Sequence, residues 1–296
     1  MNKQVKIVGV PMDFGQLRRG LDMGPAAARY TGLVSAIRAL GHHVEDLGDV
    51  VVPVRIPVEG GEASDYIDEI RGVCEQVYER GKQVIEENAF PLFIGGDHSI
   101  AIGTVGGVSH DRPTGLIWID AHADFNTPET SPSGNIHGMP LAILTGAGDG
   151  RLVDLGRTGA KVDPENVVII GIRDVDRFER IRLKKSGITV YTMSDIDEQG
   201  MGTIARKALM KLIHLKRVHL SFDIDAIDPV EAPGVGTPVP GGLTFREAHL
   251  FMEIIADSAK LTSMDLVEIN PILDQVNKTA KLAVDLIVSA LGKRIL

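Results

Sequence analysis

Short runs of apolar residues alternate with amphipathic stretches from one end of the chain to the other. Most of the runs are continuously apolar, which is typical of strands that are buried on both faces of a parallel sheet. Eight of them are predicted to be strands: Val5–Val10, His43–Leu47, Phe90–Ile94, Gly115–Ile119, Val167–Gly171, Thr189–Thr192, Val218–Phe222 and Ser263–Glu268. The alternation of strands with helices predicts an α/β fold of three layers, α/β/α, around a mostly parallel, doubly wound sheet.

The amphipathic stretches carry signals that mark the ends of helices. Pro25 suits a first helical position and Gly41 a position just past a helix end. Thr244 and Glu247 have the spacing of a capping box, which opens a helix. The predicted helices are Ala26–Leu40, Ser64–Asn88, Thr203–Leu215, one from Thr244 to about Asp257, and Val276–Leu291.

Two long irregular stretches, Asp124–Pro140 and Asp225–Gly242, interrupt this pattern. Loops of this length inside a compact domain are usually functional. In open parallel sheets, ligands bind beyond the carboxyl ends of the strands. No linker or repeat divides the chain, so we expect a single domain over residues 1–296, with its site at the strand ends.

Composition and charge narrow the classes of function. The chain has 296 residues, of which 44% are hydrophobic, and 31 Lys and Arg against 40 Asp and Glu give a net charge of −9. An acidic chain without a basic block lacks the electrostatic footprint of a nucleic-acid-binding protein. The single cysteine, Cys74, lies on the apolar stripe of a predicted helix and excludes a disulfide scaffold. No signal peptide or membrane span is evident, so we expect a cytoplasmic protein.

Three predicted strands are followed directly by residues that bind metals: Gly95-Gly-Asp-His98-Ser99, Asp120-Ala-His122-Ala-Asp124 and Asp223-Ile-Asp225. Residues at i, i+2 and i+4 of an extended chain point to the same side, so each segment presents its carboxylates and imidazoles on one face. If these strands are neighbours in the sheet, four carboxylates and two imidazoles converge at one place.

Four carboxylates in one partly buried pocket raise each other's pKa, unless cations hold them together. Six ligands are more than one ion normally takes, and two ions that share Asp120 and Asp223 fit the count. Carboxylates with some imidazole and no thiolate suit Mn²⁺, with Fe²⁺, Co²⁺ or Zn²⁺ as substitutes. Such a pair of ions predicts hydrolysis by a metal-bound hydroxide.

Each motif alone has a simpler interpretation. An Asp-x-Asp after a strand is often a turn cap, and a lone His98 is more often a hydrogen-bonded core histidine. An EF-hand is excluded, because the fifth and sixth loop positions would be Ile227 and Asp228, where a ligand and glycine are required. The combination of three such strand ends favours the metal site.

The motifs GGDHS, DAHADFNTPETSPSGNIHG, SFDIDAIDP, GVGTPVPGGL and VEINPILD, together with the N-terminal GVPMDFGQLRRGLDMGPAAAR, resemble the ureohydrolases, most closely the bacterial arginases. The resemblance runs over nearly the whole chain. It implies an arginase/deacetylase-like fold, two Mn²⁺ ions per subunit, a homohexamer or homotrimer, and hydrolysis of L-arginine to L-ornithine and urea by a metal-bridging hydroxide.

The resemblance also implies a role for individual residues. His98, Asp120, Asp124 and Asp223 would bind one ion, and Asp120, His122, Asp223 and Asp225 the other. Asp124 would orient the hydroxide, His137 would shuttle protons, and Glu268 would pair with the substrate guanidinium. The residues expected to bind substrate are His122, Asn126, Ser133, Asn135, Asp176, Thr237 and Glu268. Asp174 is left without a role.

Simpler interpretations stay open for these residues too. Ser133 and Asn135 have ordinary turn chemistry, Asp176 suits a helix cap, His137 could brace its loop, and Glu268 could bond a neighbouring loop. The same metal site would also serve a sister amidinohydrolase acting on agmatine, formiminoglutamate or a guanidino acid. A non-catalytic relative is disfavoured, because all the expected ligands are intact.

Overall fold

The fold is described from a computed structural model, which covers residues 2–56 and 62–294. The eight predicted strands are all present. They are β1 (Gln4–Val10), β2 (His43–Asp49), β3 (Phe90–Gly95), β4 (Gly115–Ile119), β5 (Val167–Ile172), β6 (Thr189–Thr192), β7 (Val218–Asp223) and β8 (Leu261–Val267). They form one parallel sheet in the order β2-β1-β3-β8-β7-β4-β5-β6. The predicted α/β fold is therefore confirmed.

Helices cover both faces of this sheet. They are α1 (Gly24–Tyr30), α2 (Leu33–Ala39), α3 (Ile67–Glu86), α4 (Ala101–Val108), α5 (Pro140–Leu144), α6 (Gly150–Val153), α7 (Arg177–Leu183), α8 (Met193–Gln199), α9 (Met201–Lys211), α10 (Phe245–Asp257) and α11 (Lys278–Ala290). Val5 and Ile7 pack in one cluster with residues of α1, α2, α9, α10 and α11, whereas Val8 and Val10 pack in another with α3. Successive residues of a strand point to opposite faces, so continuously apolar strands fill both clusters.

Two sequence predictions need correction in detail. The expected helix Ala26–Leu40 is two helices, because Gly32 adopts a left-handed conformation with φ of 91° and stops α1. The expected strand Ser263–Glu268 ends at Val267, and Glu268 has a left-handed φ of 66°. The predicted capping box at the start of α10 is confirmed, since the Thr244 hydroxyl accepts the Glu247 amide hydrogen at 3.2 Å.

The sheet order decides where the polar segments meet. The four central strands, β3, β8, β7 and β4, are consecutive neighbours, and all eight strands run in the same direction. Ile119 pairs with Phe222, so Asp120 and Asp223 follow at adjacent places on the same edge. The carboxyl ends of these strands therefore bring the three predicted ligand segments together. Across residues 2–56 and 62–294, no helix is both long enough and apolar enough to cross a membrane.

Candidate active site

The six predicted metal ligands form one cluster at the carboxyl edge of the central strands, which we call the edge cluster: His98, Asp120, His122, Asp124, Asp223 and Asp225. His98 is fully buried, and its Nδ1 lies 3.0 Å from an Asp124 oxygen, 3.1 Å from Asp223 and 3.3 Å from Asp120. These four residues are the set that was predicted to hold one ion.

The second ligand set lies beside the first. The Nδ1 atom of His122 is 3.1 Å from Asp225 Oδ2 and 3.4 Å from Asp120 Oδ1. Asp120 thus turns one oxygen towards each imidazole, as a bridging ligand must. Two groups with metal-binding geometry result: one of His98, Asp120 and Asp223, the other of Asp120, His122 and Asp225. Asp223 belongs only to the first group, and its Oδ1 accepts the amide hydrogen of Asp225 at 2.8 Å.

One atom of the edge cluster indicates that a cation fits there. His98 Nδ1 is buried and has no hydrogen-bond partner in the described part of the chain, although three carboxylate oxygens surround it. The opposite ring nitrogen, Nε2, lies 2.9 Å from the Ser221 hydroxyl. An imidazole held in this way can direct a lone pair at the carboxylates, and a cation between them would satisfy both sides.

The charges of the edge cluster are out of balance. Burial and the charge of Asp120 raise the pKa of Asp124 to about 7. Burial and the charges of Asp225 and Asp120 raise the pKa of Asp223 well above its ordinary value. The pKa of His98 is also raised, because its three carboxylate neighbours outweigh the opposing effect of burial. Bound divalent ions would relieve this repulsion.

Glu268 and His137 form a pair beside the edge cluster. Glu268 Oε1 accepts the amide hydrogen of His98 at 3.0 Å and lies 3.1 Å from His137 Nδ1. The other oxygen accepts a hydrogen from the Gln16 side chain at 3.0 Å. Burial lowers the pKa of His137, but the hydrogen bond and charge of Glu268 prevail and raise it to about 9. Bonding of Glu268 to a neighbouring loop, the simpler interpretation, is thus also present.

A polar cavity opens next to these groups. It is lined by His122, Asp124, Asn126, Ser131, Ser133, Asn135, His137, Gly138, Asp174, Asp176, Glu179, Asp223, Asp225 and Thr237. Every residue predicted to bind substrate lines it except Glu268, which is fully buried behind His137. Two side chains from the long loop, Asn126 and Asn135, therefore face the same space as the edge cluster.

The hydrogen bonds of the cavity residues show which side chains remain available to bind a ligand. Asn135 Oδ1 is buried without a hydrogen-bond partner in the described residues. Ser133 accepts the Asn135 amide hydrogen at 3.2 Å, which is the turn chemistry considered above. Thr237 donates to Asp225 at 2.9 Å, so its hydroxyl supports a candidate metal ligand. Asp176 forms a capping box at the start of α7 and accepts a hydrogen from Asn126 at 3.0 Å.

The comparisons with known proteins agree with this arrangement. The model of the Arginase family matches residues 3–292. The chain belongs to the arginase family. It is 50% identical to the arginase of Bacillus subtilis, over all of both chains. The arginase structure from Bacillus caldovelox superposes with a TM-score of 0.96 at 46% identity, over 99% of this chain and 100% of that one.

The fold also extends to a more distant amidino hydrolase. The proclavaminate amidino hydrolase of Streptomyces clavuligerus superposes with a TM-score of 0.74 at 27% identity, over 98% of this chain and 91% of that one. The family membership confirms the resemblance drawn from the motifs, together with the expected arginase/deacetylase-like fold and an arginase-type hydrolase.

Sequence reasoning missed several side chains of this arginase-family site. Trp118 stacks on His98 with ring centroids 4.0 Å apart and donates to Asp120 at 2.9 Å. Glu179 lines the cavity, and burial raises its pKa to about 7. Its capping-box spacing from Asp176 was a usable signal. Ser131 lines the cavity as well, and its position in the loop segment gave no such signal.

Proposed function

We propose that this protein hydrolyses L-arginine to L-ornithine and urea with two Mn²⁺ ions bound in the edge cluster. The observation that carries the proposal is that Asp120 is shared between two ligand groups, at the wall of a polar cavity. The near-identical fold and the 46–50% identity to proteins named arginases support arginine as the substrate.

The ligand sets follow the geometry, with one addition taken from the family pattern. His98, Asp120, Asp124 and Asp223 would hold one ion, and Asp120, His122 and Asp225, with Asp223 as a second bridge, would hold the other. A pair of divalent ions supplies Lewis-acid chemistry, lowering the pKa of a water molecule so that it can attack at neutral pH. Oxygen-rich donors with imidazole and no thiolate fit Mn²⁺.

The chain's own groups would move the protons. Asp124 lies at the cavity wall, and its carboxylate can orient the attacking water. The departing amine of arginine must gain a proton as its C–N bond breaks. His137 lines the cavity, and Glu268 favours its protonated form, so His137 can donate that proton.

The cavity wall would position the amino-acid end of the substrate. Asn126, Ser133 and Asn135 would bind the α-carboxylate, directly or through water, and Asn135 Oδ1 has no competing partner in the described residues. Asp176 and Thr237 would face the α-amino group. Glu268 and His122 would contact the guanidinium, and Glu268 would have to exchange part of its bonding with His137 or Gln16 to do so.

Urea release after incubation with Mn²⁺ tests the proposal. We expect kcat/KM for L-arginine to exceed that for agmatine by at least about 100-fold, because agmatine lacks the carboxylate that the loop would bind. The variant Asn135→Ala tests the part of the loop, because it should reduce the ratio of the two kcat/KM values. Its metal content, which should stay unchanged, is the control. Equal turnover of agmatine or a guanidino acid would favour a sister amidinohydrolase, and no urea from a protein with two Mn²⁺ would reject the proposal.

The remaining predictions concern the oligomeric state, the cellular compartment and the domain organisation. We propose a homohexamer or homotrimer in the cytoplasm, built from one catalytic domain over residues 1–296. The support is the family resemblance and, for the single domain, the fact that the ends of three of the four central strands of one sheet (β3, β4 and β7) supply all six metal ligands. Sedimentation of the Mn²⁺-loaded protein would measure the number of subunits.

A further inference from the structure

A second group of buried polar side chains lies within the sheet, below the edge cluster. We call it the sheet cluster: Thr104, His219, Ser221, Ser263 and Asp265, all fully buried. His219 pairs in register with Ser263, and Ser221 with Asp265, on the neighbouring strands β7 and β8. Polar side chains so deep in a sheet are costly unless they bond one another. None of them is needed to contact substrate.

Asp265 is the centre of the sheet cluster and accepts three hydrogen bonds. Ser221 donates to its Oδ1 at 2.6 Å, His219 Nε2 donates to its Oδ2 at 2.9 Å, and Thr104 also donates to Oδ2. Burial raises the pKa of Asp265, but the charge and hydrogen bond of His219 prevail, so the pKa lies below its ordinary value. An ionised carboxylate can only accept hydrogen bonds.

Because Asp265 can only accept, its hydrogen bond with Ser221 determines which hydrogen bond Ser221 can form with His98. The Ser221 hydroxyl has one hydrogen, and that hydrogen is committed to Asp265. Towards His98 Nε2, at 2.9 Å, the hydroxyl can therefore only accept, so Nε2 must carry the hydrogen of the neutral imidazole. The lone pair is then left on Nδ1, the atom that faces three carboxylates and has no hydrogen-bond partner in the described chain.

We propose that Asp265 is a positioning residue for the metal centre, which acts through Ser221 to fix the metal-binding tautomer and orientation of His98. The inference rests on the proposed function, because it requires that His98 binds a metal ion. Hydrogen-bond partners of this kind behind a metal ligand typically change metal affinity by about 10–100-fold when removed. No group in the sheet cluster supports His122 in the same way, so the effect should fall on one ion.

The experiment compares two serines of the sheet cluster. Ser221→Ala removes the acceptor for His98, whereas Ser263→Ala, the matched control, removes a hydroxyl 2.9 Å from the far side of His219. Both replacements are buried and on central strands. We would measure Mn²⁺ per chain after dialysis and the dissociation constant of each ion by competition with a chelator, with Asp265→Asn as a third variant.

We expect Ser221→Ala to raise the dissociation constant of one Mn²⁺ ion by about 10–100-fold and to leave that of the other within about 3-fold of wild type. Asp265→Asn should raise the dissociation constant of the same ion. Ser263→Ala should change the dissociation constant of neither ion. Unchanged binding in Ser221→Ala would overturn the inference, as would equal weakening of both ions, which indicates general loosening. Unchanged binding in a folded Asp265→Asn variant would also overturn the inference, and if that variant does not fold, Asp265→Glu takes its place.

The same measurements separate this inference from the proposed function. A wild-type protein that binds no Mn²⁺ would overturn both. A protein in which Ser221→Ala and Asp265→Asn both weaken binding of the same ion, yet which releases no urea from L-arginine, would uphold the role of Asp265 and reject the arginase activity.

Discussion

Two buried clusters of polar side chains, the edge cluster at the carboxyl end of the central strands and the sheet cluster below it on β7, β8 and α4, are built in opposite ways. In the edge cluster, carboxylates outnumber the groups that could neutralise them, and the pKa values of Asp124 and Asp223 are raised. In the sheet cluster, one carboxylate meets three donors, and the pKa of Asp265 is lowered.

The difference separates a site that needs a ligand from one that stabilises the fold by itself. A buried carboxylate with a full set of donors contributes to stability only while all its partners are present. A cluster with excess negative charge costs stability until cations bind, and that cost is recovered as metal affinity. Removing one carboxylate from each cluster should therefore have opposite effects on the metal-free protein.

The largest effect is expected from Asp223→Asn in the edge cluster. The variant should lose at least about 1,000-fold in urea release, because the proposed transition-state stabilisation depends on both ions. Without metal, it should unfold at the same denaturant concentration as wild type or a higher one, since a repelled charge is gone. Chemical denaturation with a chelator present measures this, and clear destabilisation of the metal-free variant would contradict the assignment.

Asp265→Ala in the sheet cluster should behave in the reverse way. Removing the acceptor leaves His219, Ser221 and Thr104 buried with unpaired donors, which should cost about 3–5 kcal/mol of unfolding free energy. The loss should appear with and without Mn²⁺. A destabilisation below about 1 kcal/mol would mean that the donors find other partners.

The pair of His137 and Glu268, beside the edge cluster, should make the unfolding free energy depend on pH. The pKa of His137 rises from 6.5 to about 9, so the folded state binds its proton more tightly than the unfolded state. The resulting stability, on the order of 3 kcal/mol, is fully present below about pH 6.5 and is lost as pH rises to about 9. In metal-free His137→Gln, the decrease in unfolding free energy between pH 6 and 9.5 should be smaller by this amount. An identical pH dependence in both proteins would show that Glu268 does not hold this proton.

The sequence predicted the edge cluster well because its signals are local. Asp120 and His122 stand two residues apart after an apolar run, and strand geometry alone puts them on one face. The convergence of three segments needed the strand order, which no spacing contains. The motif resemblance supplied it indirectly, and the adjacency of β4 and β7 now supports it.

The sheet cluster could not be predicted in the same way. His219 and Ser221 lie two residues apart on β7, as do Ser263 and Asp265 on β8, and each pair alone suggests only a polar patch on one face of its strand. Their pairing depends on the register of β7 against β8, which are separated by 37 residues of the chain.

The break between α1 and α2 was missed for a different reason. Gly32, which stops α1, lies inside an otherwise helical pattern, where an isolated glycine is often tolerated.

The smallest effect is expected from the third donor to Asp265. Thr104→Val keeps the shape of a buried side chain on α4 and removes one hydrogen bond, while His219 and Ser221 still hold the carboxylate. Since hydrogen bonds to charged groups contribute about 1.5–3 kcal/mol and the methyl group adds apolar burial, we expect a net loss of about 1–2 kcal/mol in unfolding free energy. Mn²⁺ affinity should not change, because the bond between Ser221 and His98 is untouched. A weaker metal site in Thr104→Val would show that the two clusters are coupled through Asp265 as a whole, rather than through Ser221 alone.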